Sequence, residues 1–156
     1  MPGLAGHFYA ITLDIYMEYV YIYLSNLREI KNVKQVEIKI GEEKQFEDKS
    51  VSISTINRNK LNFCSTINKE YISQDNIKSR FILRRWKDGD RFYPLGMKNS
   101  KKLSDFLTEQ KVRSLEKKEQ IVLTNAEKIV WIVGIRIDER YKISAKTKKV
   151  LELYLN

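Results

Sequence analysis

Basic, aromatic and turn-forming residues are concentrated between Leu83 and Leu107, in the run LRRWKDGDRFYPLGMKNSKKLSDFL. Lys101 and Lys102 fall at the start of a helical pattern, where the helix dipole disfavours a positive charge. An anion bound at that helix end would explain the placement, whereas two solvated surface lysines would need no ligand. Neighbouring rings could stack on bases, although buried aromatic side chains at a strand end are at least as common: Trp86, Phe92 and Tyr93. We expect any working surface of the protein to lie in this stretch.

Catalytic chemistry has few candidates in the sequence. There is one histidine and one cysteine, so a single copy can build neither a disulfide framework nor a Cys/His zinc cluster. Asp88 and Asp90 flank a glycine, which is a turn-forming pattern more often than a catalytic carboxylate pair. Asp138 and Glu139 stand between two arginines and favour an ion-paired strand end over catalysis. No phosphate-cradling glycine loop, nucleophile elbow or helical metal-binding pair occurs.

The net charge of +9 is carried by the second half of the chain. Residues 78–156 contain 20 Lys and Arg against 10 Asp and Glu, a balance of +10 that leaves −1 for residues 1–77. This asymmetry indicates a polyanionic partner. Nucleic acid ranks ahead of an anionic membrane because no basic amphipathic helix of the membrane-surface type is evident. The single unpaired cysteine fits a reducing, cytoplasmic setting.

Hydrophobic periodicity predicts the elements that must position these residues. Residues 1–7 are an irregular leader that resembles a cloning remnant, and residues 8–156 are predicted as one domain. An acidic turn is expected at residues 41–47, a shaped loop at 91–99 and a charged loop at 112–120, whereas residues 63–72 are ambiguous. Apolar or alternating runs predict strands at residues 19–24, 36–40, 51–55, 81–83, 121–124, 129–133 and 150–155.

One definite helix follows the shaped loop. Asn99 or Ser100 can cap it. Its buried stripe has the i, i+3, i+4, i+7 spacing of a helix face: Leu103, Phe106, Leu107 and Gln110. The fold class is therefore predicted as α+β, with mixed or antiparallel sheets and one main helix.

Two linked motifs resemble the C-terminal domain of bacterial tRNA(Ile)-lysidine synthetase. The first is LRRWKDGDRFYPLGMKNSKKLSDFLTEQKV and the second is WIVGIRIDERYKIS. The resemblance covers residues 80–147, and residues 8–79 are similar only to the family's less patterned preceding strands. The matching positions are Arg85, Trp86, Gly89 to Phe92, Pro94 to Met97, Lys101 to Leu103, Asp105, Phe106, Trp131, Gly134, Arg136 to Asp138 and Arg140.

The resemblance implies a role in tRNA modification. The family uses ATP to adenylate the wobble cytidine of a tRNA(Ile) with a CAU anticodon, and lysine then displaces AMP to give lysidine. Its C-terminal domain is similar in fold to a domain of the phenylalanyl-tRNA synthetase β subunit and helps to hold the tRNA, at the acceptor stem. The family's catalytic domain carries a Ser-Gly-Gly-x-Asp-Ser loop that is absent from this sequence. We therefore expect a fragment, a split product or an incomplete gene that is inactive alone, with no cofactor in this chain and ATP and Mg²⁺ in the missing catalytic domain.

On this interpretation, basic side chains neutralise tRNA phosphates, and about half of the candidates contact RNA. Arg85 and Arg91 could instead be structural, paired with Asp88 or Asp90. The alternative is a structural or homodimerisation module that docks through Tyr16–Tyr23 on the catalytic half or on a second copy and binds no RNA. An independent enzyme is a third interpretation. The candidate RNA-binding residues are Arg84, Arg85, Lys87, Arg91, Lys98, Lys101 and Lys102.

Overall fold

A computed structural model describes residues 35–60, 66, 68–78 and 80–156 of the 156-residue chain. The predicted leader, the predicted strand at residues 19–24 and the tyrosine-rich segment lie outside the described residues. Part of the ambiguous segment at 63–72 lies outside them too. One domain over residues 8–156 therefore stays a prediction.

Five strands form the first sheet: β1 (Gln35–Ile38), β5 (Phe81–Arg85), β8 (Ile121–Asn125), β9 (Lys128–Ile132) and β10 (Arg136–Ile137). They lie in the order β1-β5-β8-β9-β10, and each neighbouring pair is antiparallel. The first sheet therefore joins the strand that precedes the basic stretch to the strands of the second motif.

Four strands form the second sheet: β2 (Glu43–Phe46), β3 (Lys49–Ile56), β4 (Lys69–Ser73) and β11 (Val150–Leu155). Their order is β2-β3-β11-β4, so the last strand pairs antiparallel with both β3 and β4. Two short strands, β6 (Arg91–Phe92) and β7 (Lys101–Lys102), form a separate antiparallel ribbon. Every pairing among the described strands is antiparallel, which agrees with the predicted α+β class.

The first sheet is covered on both faces, which explains why all five residues of β8 are buried. Ile121 and Leu123 lie in a core shared with the second sheet, which also contains the fully buried Trp131. Val122, between them, belongs to a second core that includes the helix α1 (Leu103–Glu109). The two-residue period of a strand thus sends alternate side chains into different cores.

The helix α1 buries three apolar residues in the second core, as the periodicity predicts: Leu103, Phe106 and Leu107. The predicted cap at Asn99 or Ser100 is wrong. Lys101–Lys102 pairs with β6 as a strand, so Lys102 is the N-cap and its side chain makes no capping bond. Gln110 is exposed and ends the helix as its C-cap.

Three predicted turn or loop segments contain regular structure. The shaped loop at 91–99 begins with β6. The acidic turn at 41–47 includes β2, because Phe46 is buried in the first core and ties this charged run to the sheet. The charged loop at 112–120 includes the helix α2 (Ser114–Glu119), which buries no residue. Its Leu, Glu and Lys residues are good helix formers but make no apolar stripe, so periodicity gave no signal for it.

Phe92→Ala should lower the free energy of unfolding by about 3 kcal/mol or more. Phe92 is fully buried, and its ring meets that of Phe106 edge to face with centroids 4.9 Å apart. Urea unfolding followed by circular dichroism measures the change. Met97→Ala is the control, because Met97 is 43% exposed, and it should change the value by less than about 0.5 kcal/mol. Equal effects of the two substitutions would contradict this packing.

Candidate nucleic-acid interface

Arg84 is buried, with 5% of its surface exposed. At the end of β5 its guanidinium binds the Asp90 carboxylate with two hydrogen bonds, Nη1 to Oδ2 at 2.8 Å and Nη2 to Oδ1 at 2.9 Å. The same Asp90 carboxylate accepts from the Lys87 backbone N–H at 2.8 Å, which closes the turn in which Gly89 has a φ of +88°. A buried bidentate pair of this kind commits the Arg84 side chain to the fold.

Arg85 pairs with Glu47 instead of with either nearby aspartate. Its Nε and Nη2 lie 2.5 and 2.9 Å from the two Glu47 carboxylate oxygens. Hydrogen bonding to Glu47 raises the pKa of Arg85, although burial opposes it. Because Glu47 directly follows β2, this pair joins β5 of the first sheet to the second sheet. Arg85 is therefore structural, as one of the two interpretations expected, but with a partner 38 residues away in sequence.

The three aromatic residues of the stretch have different surroundings. Phe92 is fully buried in the second core, so it presents no face for a base. Trp86 is half-buried, and its indole N–H donates to the Lys117 carbonyl in α2. Its ring borders a shallow cleft of about 410 Å³ between the turn and that helix. Tyr93 lies under the Arg140 guanidinium, whose carbon is 4.7 Å from the ring centroid.

The ribbon of β6 and β7 closes the loop at residues 93–100. The Arg91 Nε and Nη2 donate to the Ser100 hydroxyl at 3.2 Å, and Nη2 also donates to the Ser100 carbonyl. The Arg91 side chain therefore spans from β6 to the residue that precedes β7. The Lys101 ammonium pairs with Glu109 at the far end of α1. Arg91 remains exposed, and the Lys101 side chain keeps 23% exposure.

Asp138, directly after β10, joins this loop to the second motif. Its side chain is fully buried. One carboxylate oxygen accepts from the Tyr93 backbone N–H at 2.9 Å and from Arg140 Nη2 at 2.7 Å. The other accepts from the Arg140 backbone N–H at 2.9 Å and its Nε at 2.8 Å. The predicted ion-paired strand end is confirmed, and it also fixes the start of the basic loop.

Glu139 holds the tip of the loop. Its carboxylate accepts from the Gly96 backbone N–H at 2.7 Å and binds the Lys142 ammonium, while its own N–H donates to the Tyr93 carbonyl. The Lys142 and Gly96 hydrogen bonds lower the pKa of Glu139. Gly96 has a φ of +88°, a conformation that glycine adopts without strain. Sequence reasoning missed this contact, and its only signal was a pair of acids inside a basic motif.

The remaining predicted residues lie at the surface, on two segments. One is the loop with its two-strand ribbon, residues 91–102, called the braced loop because Asp138 and Glu139 hold its backbone. The other is the adjacent turn, residues 86–90. Three of them are exposed and form no ion pair with any residue that the structure describes: Lys87, Lys98 and Lys102. Leu95 and Met97 are also exposed, at 37% and 43%. The structure therefore divides the seven candidates into three groups. Carboxylates hold Arg84, Arg85 and Lys101, and Ser100 binds the exposed Arg91. The remaining three lysines are open to an anionic ligand.

Neither a metal centre nor a membrane span is found in the described part of the chain. Within residues 35–60, 66, 68–78 and 80–156, no three His, Cys, Asp or Glu side chains are grouped so that they could hold a metal ion. No helix of these residues is long and apolar enough to cross a membrane.

Comparison with known proteins identifies the domain. Residues 81–153 match the family model described as the TilS substrate C-terminal domain. This part of the chain belongs to that family. The match spans the turn, the braced loop, α1 and the Asp138 pair of this TilS domain, and it confirms the resemblance drawn from the two motifs. A solved structure described as the TilS C-terminal domain has the same fold, with a TM-score of 0.67 at 14% identity, covering 78% of this chain and 95% of that one.

Sequence relatives of the TilS domain are tRNA(Ile)-lysidine synthases. The enzyme of Parabacteroides distasonis is 43% identical over 81 residues, which are 52% of this chain and 18% of that protein. The enzyme of Bacteroides thetaiotaomicron is 40% identical over 77 residues, which are 49% and 18% of the two chains. The matched region is thus about a fifth of the length of these relatives.

Glu139→Gln should make the free energy of unfolding of the TilS domain fall less steeply as the pH is lowered. A carboxyl whose pKa is lowered in the folded state stabilises it above the unfolded pKa, near 4.5, and loses that contribution as the pH falls through the folded value. Urea unfolding between about pH 3 and 7 measures the slope. Glu116→Gln, on the exposed face of α2, should leave the slope as in wild type. A wild-type slope in Glu139→Gln would show that the carboxylate does not brace the loop.

Proposed function

We propose that the TilS domain holds tRNA for a tRNA(Ile)-lysidine synthase. The observation that carries the proposal is the braced basic loop. Lys98 lies on the part of the loop that Asp138 and Glu139 fix, and Lys102 lies in β7, paired with Arg91. Neither lysine has a carboxylate partner among the described residues. Duplex RNA is held mostly through its shape, phosphates and 2′-hydroxyls, for which exposed long cations are suited. Lys87, on the adjacent turn, and the exposed Arg91 complete this surface.

The proposed contact set is smaller than the one suggested by the sequence. Arg84 and Arg85 bind carboxylates inside the fold, and the Lys101 ammonium is occupied by Glu109. On this proposal these three cations stabilise the fold and do not bind phosphate. A duplex such as the acceptor stem is the ligand that best fits point charges without a base-reading pocket, because lysine ammonium groups recognise phosphate without sequence.

The reaction itself belongs to the whole enzyme. We propose that it is the ATP-dependent ligation of lysine to the wobble cytidine of tRNA(Ile), in the cytoplasm, with ATP and Mg²⁺ bound in a catalytic part outside the TilS domain. The names of the relatives support the substrate. No Ser-Gly-Gly-x-Asp-Ser run occurs in this sequence, so the chain alone should incorporate no lysine into tRNA.

Lys98→Ala/Lys102→Ala should weaken binding to tRNA(Ile) with a CAU anticodon and flatten its salt dependence. Each lost phosphate contact reduces the slope of log affinity against log salt by roughly 0.7 to 0.9, so two contacts amount to roughly 1.4 to 1.8. Fluorescence titrations over a salt series measure the slope, and an acceptor-stem minihelix should reproduce the effect.

Lys44→Ala/Lys49→Ala is the matched control for this titration. It removes the same charge from the β2–β3 hairpin, where Lys49 borders a cleft lined with Asp48, Glu116 and Glu119. Equal slopes for the two double variants would contradict the assignment of the loop. No binding by the wild-type chain at moderate salt would overturn the tRNA-holding role. Self-association without RNA binding would favour the docking module.

A further inference from the structure

A second basic site lies at one end of the strands of the first sheet, where the β8–β9 hairpin meets the short 3₁₀ helix Glu139–Tyr141. A cavity of about 210 Å³ opens there. Three cationic residues line it and no carboxylate does: the cations are Lys78, Lys128 and Arg140. Asn76, Asn125 and Tyr141 add polar groups to the lining. We propose that this cavity binds a backbone phosphate of the tRNA, as a second contact in addition to the braced loop. The inference rests on the function proposed above and assigns it a further site.

The walls of the cavity are fixed by hydrogen bonds. Asn125 is buried, and its side chain accepts from the Lys78 backbone N–H at 3.0 Å and donates to the Arg80 carbonyl at 3.3 Å. Asn76 donates to the Arg140 carbonyl at 3.1 Å, which ties the other wall to the 3₁₀ helix. Both hydrogen bonds are made to backbone groups, the Lys78 N–H and the Arg140 carbonyl. The backbone therefore holds these two residues at the rim, and the Lys78 side chain is not needed to keep its place.

The hairpin turn places Lys128 at the same rim. Ala126 and Glu127 both have left-handed backbones, with φ of +47° and +63°, as in the tight turns that match the twist of a two-residue hairpin. Asn125 and Lys128 are consequently direct partners across the strand pair. Because the Lys78 backbone is bound to Asn125, both lysines belong to one small rim.

The charge of the cavity is uncompensated. Neither the Lys78 nor the Lys128 ammonium has a carboxylate within ion-pair distance among the described residues, whereas Arg140 is neutralised by Asp138. The acids close by in sequence do not compensate it. Asp75 accepts from the backbone N–H groups of Lys148 and Lys149. Glu127 is exposed on the turn and is not part of the lining.

Tyr141 supplies a neutral donor. It is 4% exposed, and no described residue hydrogen-bonds its hydroxyl. Burial raises the pKa of the phenol, so it stays protonated and able to donate to a phosphate oxygen. Two ammonium groups, amide N–H groups and a hydroxyl are the donor types that recognise phosphate.

Arg140 links this cavity to the basic loop. It lines the cavity, and its guanidinium lies over Tyr93 at the base of the loop. Arg140 is therefore a residue common to the cavity and to the base of the loop. Additional exposed lysines of the following segment extend the same basic surface: Lys146, Lys148 and Lys149.

The test compares Lys78→Ala/Lys128→Ala with the Lys44→Ala/Lys49→Ala control in the tRNA(Ile) salt series. The cavity variant should flatten the log-log slope by roughly 1.4 to 1.8, at 0.7 to 0.9 per contact, whereas the control should not. Lys78→Arg/Lys128→Arg should restore the slope. Thermal unfolding checks that the exposed substitutions leave the fold intact. In parallel, inorganic phosphate should shift the backbone amide NMR signals of positions 78 and 126 in the wild type and leave both unshifted in the alanine variant.

The outcomes separate the two proposals. Wild-type binding with equal slopes for the cavity variant and the control would overturn the cavity site and leave the braced loop as the RNA-holding surface. Absence of tRNA binding by the wild type would overturn the proposed function and the RNA role of the cavity together. A phosphate-induced shift that persists in the alanine variant would show that the lysines do not form the site.

Discussion

The conformation of the basic loop depends on the hydrogen bonds to the buried carboxylate of Asp138. A charged group removed from water is strongly destabilising unless hydrogen bonds and an opposite charge compensate it. Here four donors do so, from the backbone and guanidinium of Arg140 and from the Tyr93 backbone. Because Tyr93 is 45 residues away in sequence, satisfying one carboxylate fixes the loop of the first motif on the strand end of the second.

The cations of the domain divide by chemistry as well as by position. Arg84, Arg85 and Arg140 each bind a carboxylate with two nitrogens, the geometry for which the planar guanidinium is suited. The exposed lysines of the loop and cavity have flexible stems and compact charges. These three arginines therefore shape the surface, whereas the unpaired lysines and the exposed Arg91 supply most of its positive field. A basic motif read only as total charge conceals this division of roles.

Hydrophobic periodicity correctly predicted the elements that bury one apolar face. Strand β11 occupies residues 150–155 as predicted, and α1 buries the predicted stripe apart from Gln110, because both have one clear apolar face. The helix α2 has no such face and could not be found by periodicity. Among the site residues, charge located the basic stretch but not the partners: Arg84 and Arg85 are adjacent, yet their carboxylates lie six and 38 residues away. Such pairings arise only when the sheets assemble.

A fixed backbone with mobile lysine ends suits a ligand that is recognised by shape. Holding Gly96 on Glu139 removes backbone freedom before binding, so association need not order the loop. The ammonium groups of Lys98 and Lys102 can still adjust to phosphates whose spacing varies along a duplex. On the proposed function, discrimination of one tRNA from another depends on where its phosphates fall relative to both lysine groups, and not on base contacts at either one. Arg140 lies over Tyr93 at the base of the loop and also lines the cavity, so the same residue connects the two proposed contact sites.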